Sequence, residues 1–358
     1  MKRCPVCSAL CDADDMFCEV DGARLDGVPT QIGGISSIPA PIAMSYSRCS
    51  KCGSIESEDG FCRECGHRVY LLNDSTSEPP PRFFSSSDLL ARVGIEQSEQ
   101  SEATIGAICD QGLASGHNED AFAFAHGDKN GAPWWALVVC DGISSASYSD
   151  RCAKLASEAA KDLLVELVCT SDLSSSGSSQ AVLAAVQRAH AVSCSITERQ
   201  QGKDEPGTTI VVALVHHQRL AVAWAGDSRA YWISKHAAEP LTKDHSWAVE
   251  AIESGEVTAD EAMTNPLSHA ITRCIGPLET MSPSADIHAS VVTRNLAGHG
   301  QLMLCSDGLW NYLKSNEELR DLLSPLSNRP PIERARALVA HALTCGGHDN
   351  VTVVIADV

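Results

Sequence analysis

The sequence predicts an antiparallel α+β sandwich for most of the chain, preceded by small cysteine-rich modules. Two observations support this fold class. From about residue 103 onward, short apolar runs of strand character follow one another across tight turns, and longer helical patterns arrive in pairs. An alternating parallel sheet would instead place a helix after each strand. The hydrophobic content of 44% over 358 residues is enough for a substantial core.

Composition divides the chain into a cysteine-rich segment at 1–26, a linker at 27–47, a second cysteine-rich segment at 48–70, a linker at 71–102 and a large domain at 103–358. The second linker contains three consecutive prolines and a serine run, which favour an extended, semi-rigid chain. The two cysteine-rich segments, which we call the head, lack long apolar runs and cannot bury enough surface to fold unaided. We therefore expect a metal to stabilise the head.

The elements of the large domain are predicted from apolar runs and helical periodicity. Strands are expected at 104–109, 121–125, 134–140, 208–215, 220–225, 230–233, 302–306 and 351–356. Helices are expected at about 148–169, 180–200, 316–323 and 332–344, with a break at the serine-rich run 171–179.

The formal net charge of −19 narrows the range of partners. Such a chain repels polyanions, which disfavours nucleic acid and anionic membranes, whereas divalent cations are attracted. The longest apolar stretches fall far short of the ~20 residues that a membrane helix requires. The sequence also opens without a secretory signal. We therefore expect no membrane association and a cytoplasmic location.

One group of four cysteines has the spacing of a zinc site. Cys49-x2-Cys52 and Cys62-x2-Cys65 are separated by nine residues, and a glycine follows each pair. Each pair presents two thiolates to one ion, and the glycine lets the chain turn beneath it. Four unrelated thiols or a pair of disulfides are the alternative. We expect one tetrahedral Zn²⁺ ion at these cysteines.

A second group repeats this frame incompletely. Cys4-x2-Cys7 is followed by Cys18-x2-Asp21, so aspartate stands where a fourth cysteine would be. A second Zn²⁺ is bound if Asp21 ligates through oxygen or Cys11 replaces it, and otherwise this copy is empty. Both copies resemble the zinc ribbons of many bacterial regulatory proteins. Residues 1–75 carry seven basic and eleven acidic side chains, so we expect protein docking or a structural role, with nucleic-acid binding disfavoured.

Aspartates lie at the ends of four apolar strands in the large domain. They are Asp110, Asp141, Asp307 and Asp349, and the first three directly follow their strands. Asp-Gly after a strand is also ordinary turn chemistry, which is the alternative for each one alone. Four such positions, with Asn118-Glu119-Asp120 before another strand, indicate carboxylates that converge at one edge of a sheet. Oxygen ligands of this kind select hard ions such as Mg²⁺ or Mn²⁺.

These residues lie within motifs that resemble the metal-dependent protein phosphatases, the PPM family of type 2C serine/threonine phosphatases. Eight segments match in the family's order across residues 103–358. They are Asp110-Gln111-Gly112 with Asn118-Glu119-Asp120, Val139-Cys140-Asp141-Gly142, Gly207-Thr208-Thr209, Ala225-Gly226-Asp227-Ser228-Arg229-Ala230-Tyr231, Leu241-Thr242-Lys243-Asp244-His245-Ser246, Ile271-Thr272-Arg273-Cys274-Ile275-Gly276, Cys305-Ser306-Asp307-Gly308-Leu309-Trp310 and Gly347-His348-Asp349-Asn350-Val351-Thr352.

The resemblance implies two antiparallel sheets between helix pairs, with a binuclear metal centre at one end of the sheets. Carried over to this sequence, the ligands are Asp141 for both ions, Asp307 and Asp349 for the first, and Glu119 or Asp120 with the Gly142 carbonyl for the second. Asn118 and Asn350 would hold these ligands in position without contacting the ions themselves. Two Mg²⁺ or Mn²⁺ ions would activate water for direct attack on phosphorus, so no protein nucleophile is required.

Several positions depart from the family's pattern. Ser115 stands where the family usually has a phosphate-gripping arginine, so a bidentate contact is lost. His117 could contact phosphate instead, or be a solvated surface residue. Ser144-Ser145 replace a run of glycines. Ile143 replaces a histidine found in some relatives, so leaving-group protonation falls to water or is unassisted.

Three further features lie close to these motifs. Asp204, three residues before Gly207, stands where some relatives bind a third metal ion, although an exposed loop acid is equally consistent. Asp227-Ser228 is interpreted as a hairpin turn that supports the site. Residues 245–276 match the family's mobile flap region, which we expect to shape substrate access.

The predicted function is a metal-dependent protein serine/threonine phosphatase, a phosphoric monoester hydrolase whose zinc-binding head regulates or docks it. Its substrates would be phosphoserine and phosphothreonine proteins, and a serine/threonine kinase would be its counterpart. The alternative is a catalytically weak phosphatase-like module that binds phosphoproteins or a partner, which Ser115 and Ser144-Ser145 would explain. A DNA-associated regulator is disfavoured by the acidic head.

Overall fold

The computed structural model describes residues 97–171, 173, 175–196, 204–277 and 287–358, and four short strands of the head. These strands form two antiparallel pairs, β1 (Lys2–Arg3) with β2 (Leu10–Cys11) and β3 (Ser57–Glu58) with β4 (Phe61–Cys62). The chain divides into two compact units, Met1–Tyr46 and Ser47–Val358. The side chains of the predicted zinc ligands lie outside the described part of the chain, namely Cys4, Cys7, Cys18, Asp21, Cys49, Cys52, Cys62 and Cys65.

Two antiparallel sheets form the large domain. The first consists of β7 (Ala121–Lys129), β8 (Ala132–Cys140), β9 (Ile210–His216), β10 (Arg219–Ala225) and β13 (Ser290–Asn295), in the order β13-β10-β9-β8-β7. The second consists of β5 (Gln97–Glu102), β6 (Ile105–Asp110), β11 (Arg229–Ile233), β12 (Ala238–Pro240), β14 (Gln301–Cys305) and β15 (Val351–Asp357), in the order β12-β11-β14-β15-β6-β5.

Helices flank both sheets. They are α1 (Ser149–Thr170), α2 (Ser175–Ser193), α3 (Trp247–Glu253), α4 (Ala259–Met263), α5 (Asp307–Trp310), α6 (Asn316–Leu323) and α7 (Pro331–Thr344), with a 3₁₀ turn at Ser324–Leu326. The α1–α2 pair packs on the first sheet and the α6–α7 pair packs on the second. The predicted α+β fold with two antiparallel sheets and helices is therefore confirmed.

Three apolar clusters hold these layers together. One lies between α1–α2 and the first sheet, one lies between the two sheets, and one lies between the second sheet and α6–α7. Because both faces of each central strand are covered, all seven residues of β9 are buried. Close packing also requires Gly106, since a Cβ there would lie 2.2 Å from the backbone nitrogen of Ile332 in α7.

The structure differs from the sequence prediction at several elements. All eight predicted strands are present, but β5, β12 and β13 are additional. Helix α2 begins at Ser175, inside the run interpreted as a break, because serine is favourable at helix starts. Residues 97–102 of the predicted linker form β5, whose side chains are all exposed. Among the helices of the described residues, none combines the length and apolar character needed to cross a bilayer.

Candidate metal centre

Four aspartates from different elements converge at one end of the two sheets. Asp120 precedes β7, Asp141 follows β8, Asp307 opens α5 after β14, and Asp349 precedes β15. We call these four residues the acid cluster. The side chains of Asp120 and Asp307 each hydrogen-bond to that of Asp141. Asp349 is exposed and the other three are partly exposed, so protein atoms crowd the carboxyls without sealing them from water.

The acid cluster carries unusual electrostatics. Burial among protein atoms, together with charge repulsion from Asp349, raises the pKa of Asp120 and of Asp307 to about 7. Burial, followed by the other three carboxylates, raises the pKa of Asp141 well above its ordinary value. The pKa of Asp349 is raised in the same way by burial, with Glu119 contributing. Carboxylates that resist ionisation together are stabilised in charged form by a divalent cation.

Glu119 lies beside the acid cluster, next to Gly142. Its carboxylate accepts a hydrogen bond from the Ser149 hydroxyl at 2.5 Å. A Cβ on Gly142 would lie 2.5 Å from the carbonyl oxygen of Glu119, so only glycine permits this approach. The two residues predicted to serve a second ion are therefore adjacent in space.

Asn350 joins the loop at 111–119 to the acid cluster. Its Oδ1 accepts from the backbone N–H of Glu119 at 2.8 Å. Its Nδ2 donates to the carbonyl oxygens of Gln111 at 2.8 Å and His117 at 3.0 Å. Because Asn350 is 4% exposed and directly follows Asp349, these three bonds fix both loops to each other.

Hydroxyl groups hold the backbone of Asp141. Thr208 Oγ1 donates to the carbonyl oxygen of Asp141 at 2.8 Å, and the N–H of Asp141 donates to Thr209 Oγ1 at 3.2 Å. Thr209 Oγ1 also hydrogen-bonds Ser228 Oγ at 2.8 Å. The hairpin turn predicted at Asp227-Ser228 is wrong, because Gly226–Ser228 connects β10 of the first sheet to β11 of the second and the two strands do not pair. We call Gly226–Ser228 the site turn. The threonine pair thus ties Asp141 to the site turn.

Asp227 of the site turn is a fifth carboxyl, which the sequence placed in a turn that supports the site and not among the candidate metal ligands. Burial raises the pKa of Asp227 to about 8, with Asp307 and then Asp244 contributing. Trp310 Nε1 donates to the Asp227 carbonyl oxygen at 2.9 Å, which joins the site turn to the helix that Asp307 opens. The sequence carried a signal for this carboxyl, since Asp227 also lies just after an apolar strand, as Asp141 and Asp307 do.

Asp110 and Asn118 support the loop beside the acid cluster. Asp110 accepts from the backbone N–H of Gly112 at 2.9 Å and from Gln97 of β5 at 3.1 Å, as a turn-forming aspartate does. Asn118 Oδ1 accepts from the N–H of Asp120 at 3.2 Å, and Asn118 Nδ2 donates to Cys109. Both residues therefore shape the loop that carries Glu119 and Asp120.

The remaining predicted positions lie at the rim. His117 Nε2 is 3.3 Å from Asp150 Oδ2, and both side chains are largely exposed. Ser115 Oγ donates to the carbonyl oxygen of His348 at 3.5 Å. Asp204 is exposed, and its backbone bonds to that of Ser145 and Ser147, so the 143–147 loop lies along it.

The acid cluster has the chemistry of a hard-metal site. Its donors are all oxygen, and their mutual repulsion is relieved by positive charge. Among the described residues, no three side chains of His, Cys, Asp and Glu already form a set that could hold one ion. The residues therefore fit a divalent metal by their chemistry and convergence, and not by a completed coordination shell.

Comparisons with known proteins agree with this arrangement. A family model described as "Protein phosphatase 2C" matches residues 114–344. The serine/threonine phosphatase stp of Listeria monocytogenes is 27% identical over 248 residues, which cover 69% of this chain and 93% of that protein.

Solved structures show the same fold. The phosphatase Stp1 of Staphylococcus aureus matches with a TM-score of 0.61 and 24% identity, covering 72% of this chain and 96% of that chain. The catalytic domain of the phosphatase PstP, solved in complex with two manganese ions, matches with a TM-score of 0.50 and 24% identity, covering 73% of this chain and 99% of that chain. Since the family model spans most of the chain, the protein belongs to the protein phosphatase 2C family of serine/threonine phosphatases.

Proposed function

We propose that this phosphatase hydrolyses phosphoserine and phosphothreonine on proteins through a binuclear Mg²⁺ or Mn²⁺ centre held by the acid cluster. The observation that carries this proposal is the convergence of four carboxyls whose pKa values are all raised. Four separate elements would bring acids together at this cost only if positive charge is bound there. The two manganese ions of PstP are consistent with the same chemistry.

Specific residues would divide between the two ions. We propose that Asp141 contacts both, that Asp307 and Asp349 complete the first, and that Glu119 with the Gly142 carbonyl serves the second. Asp120 joins them as a cluster member whose Oδ2 accepts from Thr352 at 2.7 Å. Asp204 remains a proposed ligand of a third ion, for which its exposed carboxylate is available.

The chain's own residues would orient the reactants. When bound, the two ions supply Lewis-acid activation of water and neutralise charge on the phosphoryl group during in-line displacement. Thr352 and Asn311 donate to carboxylate oxygens of Asp120 and Asp307, which fixes the orientation of both groups. His117, held by Asp150, is a proposed weak contact for the substrate phosphate.

Phosphate release from a phosphothreonine peptide tests this function. We expect turnover by the full chain with Mn²⁺, none after removal of divalent ions, and recovery when Mn²⁺ is restored. The control is Asp141→Asn, which preserves the side-chain shape and removes the charge. Turnover by the wild type that equals that of Asp141→Asn would refute the proposal.

A phosphopeptide-binding module is the second candidate, and the observation that favours it concerns Ser115. Its hydroxyl donates to the carbonyl oxygen of His348 instead of presenting a cation to phosphate. Peptide binding to the Mn²⁺-loaded chain without phosphate release would establish this alternative.

The head remains a proposed Zn²⁺ module. Cys49, Cys52, Cys62 and Cys65 would bind one ion, and Cys4, Cys7, Cys18 and Asp21 would bind a second. Metal analysis of the purified full chain tests this proposal. A double variant that combines Cys52→Ser and Cys65→Ser should lose about one equivalent of zinc without loss of turnover. Zinc content unaffected by both changes would contradict the assignment.

A further inference from the structure

Residues 245–276, which contain α3 and α4, form a segment whose two ends are attached close to the acid cluster. We call this the flap segment. At its start, the N–H of His245 donates to the carbonyl oxygen of Gly226 at 3.0 Å. Near its end, Ile275 and Thr208 exchange two backbone hydrogen bonds of 2.9 and 3.0 Å. The flap segment is therefore anchored to the same backbone that carries Asp227 and holds Asp141.

The imidazole of His245 adds a second bond to the first anchor. Its Nδ1 accepts from the N–H of Gly226 at 3.2 Å, so one residue bonds both backbone groups of that glycine. Since Nδ1 is the acceptor, the proton of the neutral ring lies on Nε2, which donates to Ser290 Oγ at 2.8 Å. Arg273 Nη1 also lies 3.3 Å from Nε2, but a protonated Nε2 cannot accept from it. The ring also stacks on Trp224, with centroids 5.9 Å apart and planes 11° from parallel.

The protonation state of His245 suits this arrangement. Burial, with repulsion from Arg273, lowers the pKa of His245 to about 4. The ring is therefore neutral near pH 7 and keeps its Nδ1 lone pair for Gly226. A protonated ring would donate from both nitrogens and could not accept that bond.

Gly226 transmits this contact to the acid cluster. It has a φ of 109°, a conformation that L side chains rarely adopt, and a Cβ there would lie 2.6 Å from the Thr209 side chain. The two following residues bond to Trp310 and Thr209, which position Asp307 and Asp141. The conformation of Gly226 thus decides where both contacts of the site turn fall.

We infer that His245 is a positioning residue for the metal centre, acting through its Nδ1 bond to Gly226 and linking the flap segment to the site turn. This inference rests on the proposed metal-dependent hydrolysis. An ordinary core histidine would matter equally through either ring nitrogen. A positioning residue should matter chiefly through Nδ1, because of the two ring nitrogens only Nδ1 contacts the site turn.

Two conservative variants of the full chain separate these cases. Asparagine places its amide oxygen near the position of Nδ1, so His245→Asn keeps an acceptor for Gly226 and loses the bond to Ser290. Glutamine reaches the position of Nε2, so His245→Gln keeps the Ser290 side and loses the Gly226 acceptor. Ser290→Ala is the matched control, since it removes the hydroxyl partner of Nε2 and leaves His245 unchanged.

Mn²⁺ affinity, measured by calorimetry, and hydrolysis of a phosphothreonine peptide are the readouts. We expect His245→Gln to weaken Mn²⁺ binding and lower kcat at fixed Mn²⁺ by roughly 10-fold or more, as loss of a ligand-orienting partner does. KM for the peptide should change little. His245→Asn and Ser290→Ala should retain wild-type Mn²⁺ affinity and melting temperature.

Equal Mn²⁺ affinities for His245→Gln and His245→Asn would overturn the inference, and so would a 10-fold loss in Ser290→Ala. If His245→Gln does not fold, His245→Asn and Ser290→Ala keep the test decisive, because both are expected to retain wild-type Mn²⁺ affinity. A wild-type chain that binds Mn²⁺ without hydrolysing the peptide would refute the proposed function alone, because the Mn²⁺ affinities would still report on His245.

Discussion

At the scale of single residues, Asn350 shows how a small amide positions a metal-binding loop. We expect Asn350→Ala to lower Mn²⁺ affinity or kcat by roughly 10- to 100-fold, the usual effect of losing a side chain that orients ligands. Three backbone groups lose their partner in this variant. Asn295→Ala, at the exposed end of β13, is the matched control and should behave as wild type. Wild-type kinetics for Asn350→Ala would contradict the role assigned to this side chain.

Ser115 provides a second prediction at the residue scale. Ser115→Arg should restore a cation beside the phosphate and lower KM for p-nitrophenyl phosphate several-fold, with kcat little changed, because charge-assisted contacts strengthen ground-state binding. Ser115→Ala controls for loss of the hydroxyl contact with His348. The same KM in both variants would show that phosphate does not approach this position.

Asp141 and Asp307 could be proposed as site residues from the sequence because each lies just after an apolar strand. Sequence reasoning could not choose between Glu119 and Asp120, since neighbours in sequence differ only in where their side chains point. It also underestimated Asp227, because a glycine–aspartate pair between two strands is an ordinary turn signal. The burial of its carboxyl and the charge of Asp307 nearby distinguish this turn from others, and both depend on the folded structure.

At the scale of elements, buried strands were predictable and edge strands were not. The run Ile210–His216 is apolar throughout because both of its faces are covered. The additional strands β5 and β13 lie at sheet edges, where exposed positions carry polar residues and the apolar signal is lost. Sequence patterns report burial, and an edge strand is defined mainly by its backbone pairing.

Strand β5 gives a prediction at the element scale. A chain that starts at residue 103 should melt at a lower temperature than one that starts at 97. Without β5, the outer backbone edge of β6 loses its partner, Asp110 loses Gln97, and Arg336 loses its ion pair with Glu99. Thermal unfolding of both chains measures the difference, and equal melting temperatures would show that β5 adds no stability.

At the scale of the whole molecule, the acid cluster should oppose folding until metal binds. Its carboxyls have folded pKa values above the ordinary value of about 3.9, so their contribution to stability is full below pH ~4. That contribution is lost as the pH rises through the raised values near 7. Divalent metal should reverse this loss, because it binds the ionised carboxylates of the folded state.

The variant Asp141→Asn tests how the acid cluster makes folding stability depend on pH and on divalent metal. In metal-free buffer at pH 8, we expect the variant to melt a few degrees above the wild type, since one repelling carboxylate is removed. The difference should shrink as the pH is lowered toward about 4, where Asp141 is protonated in the folded wild type. With saturating Mn²⁺ the order should reverse. A variant less stable than metal-free wild type at pH 8 would contradict this electrostatic account.

The convergence of acids from distant parts of the chain is the property that local patterns could not supply. Asp141 and Asp349 are over 200 positions apart, and only the stacking of two sheets brings them together. The resemblance to a family supplied that geometry in advance, whereas the residues alone indicated only that some convergence was expected.

Calorimetric titration of the full chain with Mn²⁺ at pH 7, for wild type and Asp141→Asn, tests the central claim most directly. That claim is that the acid cluster forms one divalent-metal centre. We predict binding of two ions to the wild type and loss or severe weakening of both in Asp141→Asn, because Asp141 contacts each ion. Identical isotherms for the two chains would place any bound Mn²⁺ elsewhere and contradict the account.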